Sequence, residues 1–236
     1  MTVQCVWEHN GSDTLLYAVN LPGAYTRGAT RETAIDKMEQ EARAYLKWRG
    51  EPAPDSITVA IVQDAPCSLE IRDADSDVLF AAEQGPMTAD EYQMLKDLAL
   101  KSAADFLSLY LSVPEKNTSC LSARETFYGQ IPRTAEEMYQ HTKNVNTYYF
   151  GEIGVDADNA GTILDCRRRG FAALETRTDY LLNQVFDGSY GELWSLRKVL
   201  RRFLWHDRIH ARAMYRMAVK TFGAGAISDV FSFESS

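Results

Sequence analysis

Cysteine is scarce and dispersed. Cys5, Cys67, Cys120 and Cys166 share no Cys-x-x-Cys spacing, which excludes the common zinc-ribbon and thioredoxin-type motifs and gives no disulfide framework. Long apolar runs are absent as well. No stretch approaches the roughly 20 residues of a membrane span, and the opening "MTVQCVWEHNGSD" has no basic start followed by the apolar core of a secretory signal. These absences give the expectation of a cytoplasmic, reducing location. Positive charge is in deficit: 25 Lys and Arg against 33 Asp and Glu leave a net charge of −8. Such a chain lacks the cations that neutralise phosphates, so neither nucleic acid nor membrane is an expected partner. The local exception, Arg167, Arg168 and Arg169 with Arg197, Lys198, Arg201 and Arg202, reads as a solvated basic face. Glycine-based catalytic motifs are missing too: there is no Gly-x-Ser-x-Gly, no P-loop and no Gly-x-Gly-x-x-Gly.

What the chain does have is a change of pattern along its length. Residues 3–9 (VQCVWEH) and 14–21 (TLLYAVNL) are rich in β-formers and flank the turn cluster Asn10-Gly11-Ser12-Asp13, which predicts a hairpin. Pro22-Gly23 ends it. Thr30 has the chemistry of a helix N-cap, and Ala34, Ile35, Met38, Ala42, Tyr45 and Leu46 recur at helical spacing until Gly50 and Pro52. Residues 56–63 (SITVAIVQ) form a third predicted strand. The acidic stretch 67–87, closed by Gly85-Pro86, reads as a connector with room for one short strand. Beyond it, apolar spacing predicts helices at 88–113, 134–150, 162–186 and 193–222, and four amphipathic helices of this length pack naturally as a bundle. The expected class is α+β: a small ββαβ domain at 1–66, a connector at 67–87, an all-α four-helix bundle at 88–223 and a tail at 224–236. The connection from Pro114 to Pro132 exceeds an ordinary bundle loop, and such length often carries function.

Histidine is the informative rarity. Four are present, and "FLWHDRIHAR" places His206 and His210 four apart in a predicted helix, on one face and roughly 6 Å from Cβ to Cβ. They interrupt an apolar stripe of Leu196, Val199, Phe203, His206, His210, Ala213 and Met217. His141 does the same in a stripe of Met138, His141, Val145, Tyr148 and Glu152. Neutral imidazoles are costly to bury without partners. One shared cation satisfies all three and leaves an open coordination position, the pattern of a catalytic zinc, with nickel or iron able to take the same ligands. The competing arrangement is three histidines separately hydrogen-bonded or partly exposed near the end of the bundle. Imidazole ligands usually hand their other N–H to a carboxylate or carbonyl. Glu137, one turn before His141, is the better candidate for that role. Asp207 adjoins His206 but points about a quarter turn away, and Arg202 lies one turn before His206. His9 is remote and has no expected role. Cys120 and Cys166 lie in or beside the bundle, so a Cys–His arrangement stays open.

The helical half, about 88–223, resembles the DinB/YfiT-like family of four-helix-bundle proteins in its helix order and in the placement of "MYQHTKNV" and "WHDRIH". The resemblance implies a divalent metal ion, zinc or nickel, held by His141 from the second helix and by His206 and His210 from the fourth. It further implies a metal-dependent thiol S-transferase, with a low-molecular-weight thiol or another small molecule as partner, and assigns no catalytic residue beyond the ligands. The first half resembles a HicB antitoxin-like domain over about fifty residues, through "YAVNLPGAYTRGATRETAIDKMEQEARAYL" and notably Tyr17, Leu21, Pro22, Gly23, Gly28, Thr30, Glu32, Ala34, Glu41 and Ala42. A complete antitoxin adds a DNA-binding segment. Here a bundle follows instead, so the resemblance implies a scaffold, dimerisation or ligand-binding role. The alternative function is a non-catalytic binding or regulatory protein in which this half makes partner or oligomer contacts. A homodimer is one expected assembly, with Tyr148 and Tyr149 as candidates for its surface.

Overall fold

The computed structural model describes residues 1–126 and 129–233. Strands β1 (Thr2–His9) and β2 (Thr14–Ala18) form the predicted antiparallel hairpin, with Cys5 opposite Ala18 and His9 opposite Thr14. Asn10 builds its turn: the side-chain Oδ1 accepts from the N–H groups of Ser12 and Asp13, the local bonding that suits Asn to turns. A further strand, β3 (Tyr25–Gly28), pairs antiparallel with β2, and β4 (Thr58–Pro66) runs parallel to β1, so the sheet order is β3-β2-β1-β4. The N-terminal unit is therefore βββαβ, a correction of the expected ββαβ. β3 escapes a propensity reading because it is only four residues long and ends in glycine. Helix α1 (Arg31–Arg49) makes the crossover. The Thr30 side chain accepts from the Thr33 N–H, and Gly50 at φ 75° closes the far end, the left-handed stop that glycine adopts without strain.

Four longer helices follow: α2 (Ala89–Ser112), α3 (Ala135–Gly151), α4 (Ile163–Glu175) and α5 (Leu196–Phe222). Each starts at a hydroxyl cap. Thr88, Thr134, Thr162 and Ser195 accept from the N–H three residues on. Helix α5 lies against α2 and α3, and α4 lies against the same two. The helix predicted at 162–186 ends instead at Glu175. Asn183 holds the following segment as a loop: it sits at φ 49°, donates to the Glu83 and Gly85 carbonyls and accepts from the Arg197 N–H. Residues 193–194 are strand rather than helix, since β7 (Phe186–Asp187) pairs with β8 (Leu193–Trp194). The connector 67–87 carries two single 3-10 turns, Ile71–Asp73 and Ala81–Glu83, and no strand among its residues. The long α2–α3 connection holds a two-residue pairing, β5 (Glu125–Thr126) with β6 (Gly129–Gln130). Phe127 and Tyr128 of that connection, and residues 234–236 of the expected tail, lie outside the described residues. The rest of the tail packs back, with Phe231 stacked on Trp48 at 5.5 Å.

Helix α5 is not the one-faced helix its pattern suggests. Every residue from Lys198 to Arg208 is buried. One apolar cluster unites Leu204, Met214 and Met217 of α5 with Phe106 of α2 and with Val3, Leu16, Met38 and Tyr45 of the sheet unit. Another joins Trp205 to Val6, Leu15 and Tyr17 of the hairpin and to Ile71, Val78 and Phe80 of the connector. The turn at Pro22-Gly23 comes so close that a Cβ on Gly23 would stand 2.6 Å from the Leu204 Cβ, and the backbone there has φ 96°. Only glycine meets both conditions.

This enclosure corrects the expected solvated basic face. Arg167, Lys198, Arg201 and Arg202 are buried, and of the two clusters only Arg168 and Arg169 are exposed. Buried cations need partners, and much of what they find is main-chain carbonyl. The Lys198 ammonium donates to the Asp77 and Leu193 carbonyls at 2.5 and 2.6 Å, Arg201 to the Val78 carbonyl and Arg202 to the Ser76 carbonyl, both at 2.9 Å. Arg201 also forms a buried pair with Glu83, and Lys198 with Glu192. Three consecutive carbonyls of the connector thus receive three cations of α5.

Candidate metal centre

His206 and His210 lie on α5 and His141 on α3, so the contact between those helices brings them together. Ring centroids are 5.1 Å apart for His141 and His206, 4.6 Å for His141 and His210, and 4.4 Å for His206 and His210. One nitrogen from each ring can be chosen so that all three lie within 4.8 Å of one another. An ion with bonds of 2.0–2.1 Å in tetrahedral geometry holds its nitrogens about 3.3 Å apart, so the rings must draw in to close on it. The three differ in freedom. His206 is buried, His210 is half-buried and His141 keeps an exposed edge, so His141 has the most room to turn. Burial along the stripe of α5 eases at this point: Leu196, Val199, Phe203 and His206 are buried, His210 is half-buried and Ala213 is exposed, before Met217 is buried again. The three rings therefore sit where the core meets solvent, walled by Tyr149, whose ring lies 6.0 Å from that of His206.

Burial lowers the basicity of all three imidazoles, His210 down to about 3, and the mutual repulsion of the rings adds to the effect at His206 and His210. The rings are therefore neutral at pH 7, with lone pairs free for a ligand. The Nδ1 of His206 is buried without a hydrogen-bond partner. It is one of twelve such buried side-chain atoms among the described residues, and the one that belongs to the three-ring cluster, where an ion shared by three neutral nitrogens fits it.

The residues expected to support the ligands are placed elsewhere. Glu137 is exposed and closes a capping box, its Oε2 accepting from the N–H groups of Arg133 and Thr134 while the Thr134 hydroxyl accepts from the Glu137 N–H. The spacing that puts it one turn before His141 also puts it at the third position of α3, where a capping glutamate belongs. Asp207 is fully buried and faces away from the rings, forked to Arg167 at 2.5 and 3.0 Å. Burial, the larger effect, pushes its carboxyl upward against the pull of that guanidinium. Arg202 remains near the site, and its charge is among those that disfavour protonation of His206. Replacing Glu137 with alanine is expected to cost about 1 kcal/mol or less, as for the loss of a cap, and to leave zinc affinity unchanged by calorimetric titration. A tenfold weaker affinity would restore the supporting role.

The remaining candidates are settled by position. His9 stacks on Trp7 at 3.7 Å and pairs with Asp64 at 2.9 Å, away from the cluster. Cys166 is buried with its thiol on the Ile163 carbonyl, and Cys120 faces the Met217 carbonyl, so neither completes a Cys–His pair with the cluster. Tyr149 is buried against Phe203 at 5.3 Å rather than set on a subunit surface, and Tyr148 is half-buried beside Trp194. Sequence reasoning missed Tyr149 as a wall of the site, although it lies eight residues, about two turns, beyond His141. No helix among the described residues is long and apolar enough to cross a membrane. Comparison with protein-family models, with curated proteins and with solved structures gives no match. The reading of the site therefore rests on its geometry.

Proposed function

We propose that the chain binds one divalent ion, zinc or nickel, through His141, His206 and His210, and serves a transfer reaction of a low-molecular-weight thiol. The observation that carries the ion-binding part is the meeting of three neutral imidazoles from two helices, one with a buried nitrogen that nothing else satisfies. The resemblance of the helical half to DinB/YfiT-like proteins supports the reaction class. A divalent ion in this position favours the thiolate form of a coordinating thiol, because a thiol bound to a metal loses its proton. The chain's own residues do the rest. Helix α5 fixes His206 within its buried run and carries His210 one turn further on, half-buried, and the exposed edge of His141 leaves an approach for a small molecule. Tyr149, backed by Phe203, walls the inner side against water. In this reading the HicB-like half is a scaffold for α5 rather than a separate binding module, since Glu41 of α1 pairs with both Arg208 and Arg212.

The purified protein is expected to take up one zinc or nickel ion per chain and, so loaded, to join a small thiol to a model electrophile such as chlorodinitrobenzene. Failure to bind either ion from excess would overturn the whole reading. Stoichiometric binding without transfer across a range of thiols would overturn the transferase part and favour a binding or regulatory role.

A further inference from the structure

Arg202 is the buried cation of α5 that lacks a carboxylate. Lys198 pairs with Glu192, Arg201 with Glu83, and Arg208 with Glu41, while Arg167 of α4 pairs with Asp207. Among the described residues no Asp or Glu oxygen lies within 4.0 Å of an Arg202 nitrogen. The residue is only 9% exposed. One terminal nitrogen donates to the Ser76 carbonyl, and the Nε is buried with no partner. The guanidinium lies 4.8 Å from the Trp205 ring and 5.6 Å from the Tyr149 ring. The Trp205 indole N–H is likewise buried and unpartnered. Two idle donors, one of them cationic, thus share one place, and each costs free energy while it is left unmade.

That place adjoins the three histidines. The rings that hold Arg202 also border His206, Tyr149 at 6.0 Å and Trp205 at 6.3 Å between centroids. Charge points the same way. Neutral imidazoles leave a bound divalent ion its full charge, and Arg202 one turn away adds another. The acid of the sheet whose charge acts on Arg202, Glu8, commits Oε1 to the N–H groups of Asp77 and Val78 and leaves Oε2 buried without a partner, and burial pushes it toward its neutral form. Glu192 is taken by Lys198.

We propose that Arg202, together with the Trp205 indole N–H, seats a carboxylate carried by the small molecule that approaches the three-histidine centre. This rests on the ion-binding reading above and gives it a substrate class: an acid-bearing reactant, either the thiol or its electrophile. A guanidinium is suited to this, since its hydrogen bonds to carboxylates are charge-assisted and directional.

The test uses the full chain loaded with cobalt, whose absorption reports a coordinating thiolate. Mercapto acids of two to six carbons are compared with the mercapto alcohols of the same length. Some acid is expected to bind about tenfold tighter than its alcohol, the worth of one charge-assisted hydrogen bond. Arg202→Gln should abolish that preference while cobalt is still taken up, any change in thiolate binding falling equally on acid and alcohol, and Arg202→Lys should keep part of it, which covers the case in which the glutamine variant fails to fold. A second arm holds mercaptoethanol at saturation and adds plain carboxylates against alcohols, read by thermal shift. A preference confined to this arm assigns the acid to the electrophile. If thiols give no cobalt band at all, the transfer reading falls, and plain carboxylates still test Arg202. No preference in either arm, or a preference that survives Arg202→Gln, overturns the assignment.

Discussion

Alanine at both His206 and His210 is expected to abolish divalent-ion binding while the chain stays folded. The two side chains supply two of the three nitrogens, and one imidazole does not hold a zinc or nickel ion against water. The loss in affinity should exceed the roughly 10–100-fold that follows removal of an outer partner of a ligand. Stability gives an independent readout. An ion present at about a hundred times its dissociation constant adds about 2.7 kcal/mol to a protein that binds it only when folded. The parent chain should show that gain in urea unfolding with zinc, and the variant none. Without the ion the difference between them should be small or even favour the variant, because His206 buries a nitrogen that no group satisfies. A variant that still takes up one ion per chain, or a parent that gains nothing from zinc, would mean that the three rings meet for structural reasons alone.

The second large effect is expected at the pair formed by Arg167 and Asp207. Both side chains are fully buried, and the fork between them at 2.5 and 3.0 Å joins α4 to α5 beside Phe203, over which the guanidinium lies at 4.1 Å. Asp207→Ala leaves the guanidinium in the core without a counter-charge. Breaking a buried pair in this way costs about 3–5 kcal/mol, enough to remove much of the 5–15 kcal/mol by which a domain is usually stable. Asp207→Asn keeps acceptor geometry and should cost less. The double change Arg167→Leu with Asp207→Leu should recover most of the loss, because removing both charges also removes their desolvation. Urea midpoints compare the three. If Asp207→Ala unfolds at the parent's midpoint, the pair carries no such weight. The ion site responds differently: Asp207→Asn should bind zinc as the parent does, since the carboxylate makes no contact with the rings.

The parts of this structure that a sequence reader can recover are those written in local spacing. Thr30, Thr88 and Thr134 announce their helices because a cap acts on an N–H three residues away. His206 and His210 announce a shared face because the helix period is fixed. His141 joins them only once two stripes are assumed to face each other, which the contact of α3 with α5 bears out. What resisted reading depends on distant segments. The burial of Lys198, Arg201 and Arg202 hinges on carbonyls more than 120 residues earlier in the chain, and charge spacing along α5 carries no trace of them. Glu137 misled for the opposite reason, since one spacing suits both a cap and a partner for His141, and the cap is closer. The end of α4 at Glu175 turns on Asn183, whose amide bonds reach back to residues 83 and 85.

The acceptors at Ser76, Asp77 and Val78 are main-chain oxygens, and this has a consequence for how the molecule can vary. A contact between two side chains binds both positions to particular residues, so a change in one calls for a change in the other. A contact from a side chain to a carbonyl binds only one. Lys198, Arg201 and Arg202 are constrained in kind, whereas for these bonds the connector is constrained only in its path. Related chains would then keep the cations of α5 while the letter at 77 drifts and Val78 stays apolar for its place beside Trp205, and an inserted or deleted residue between 74 and 80 would break all three bonds at once.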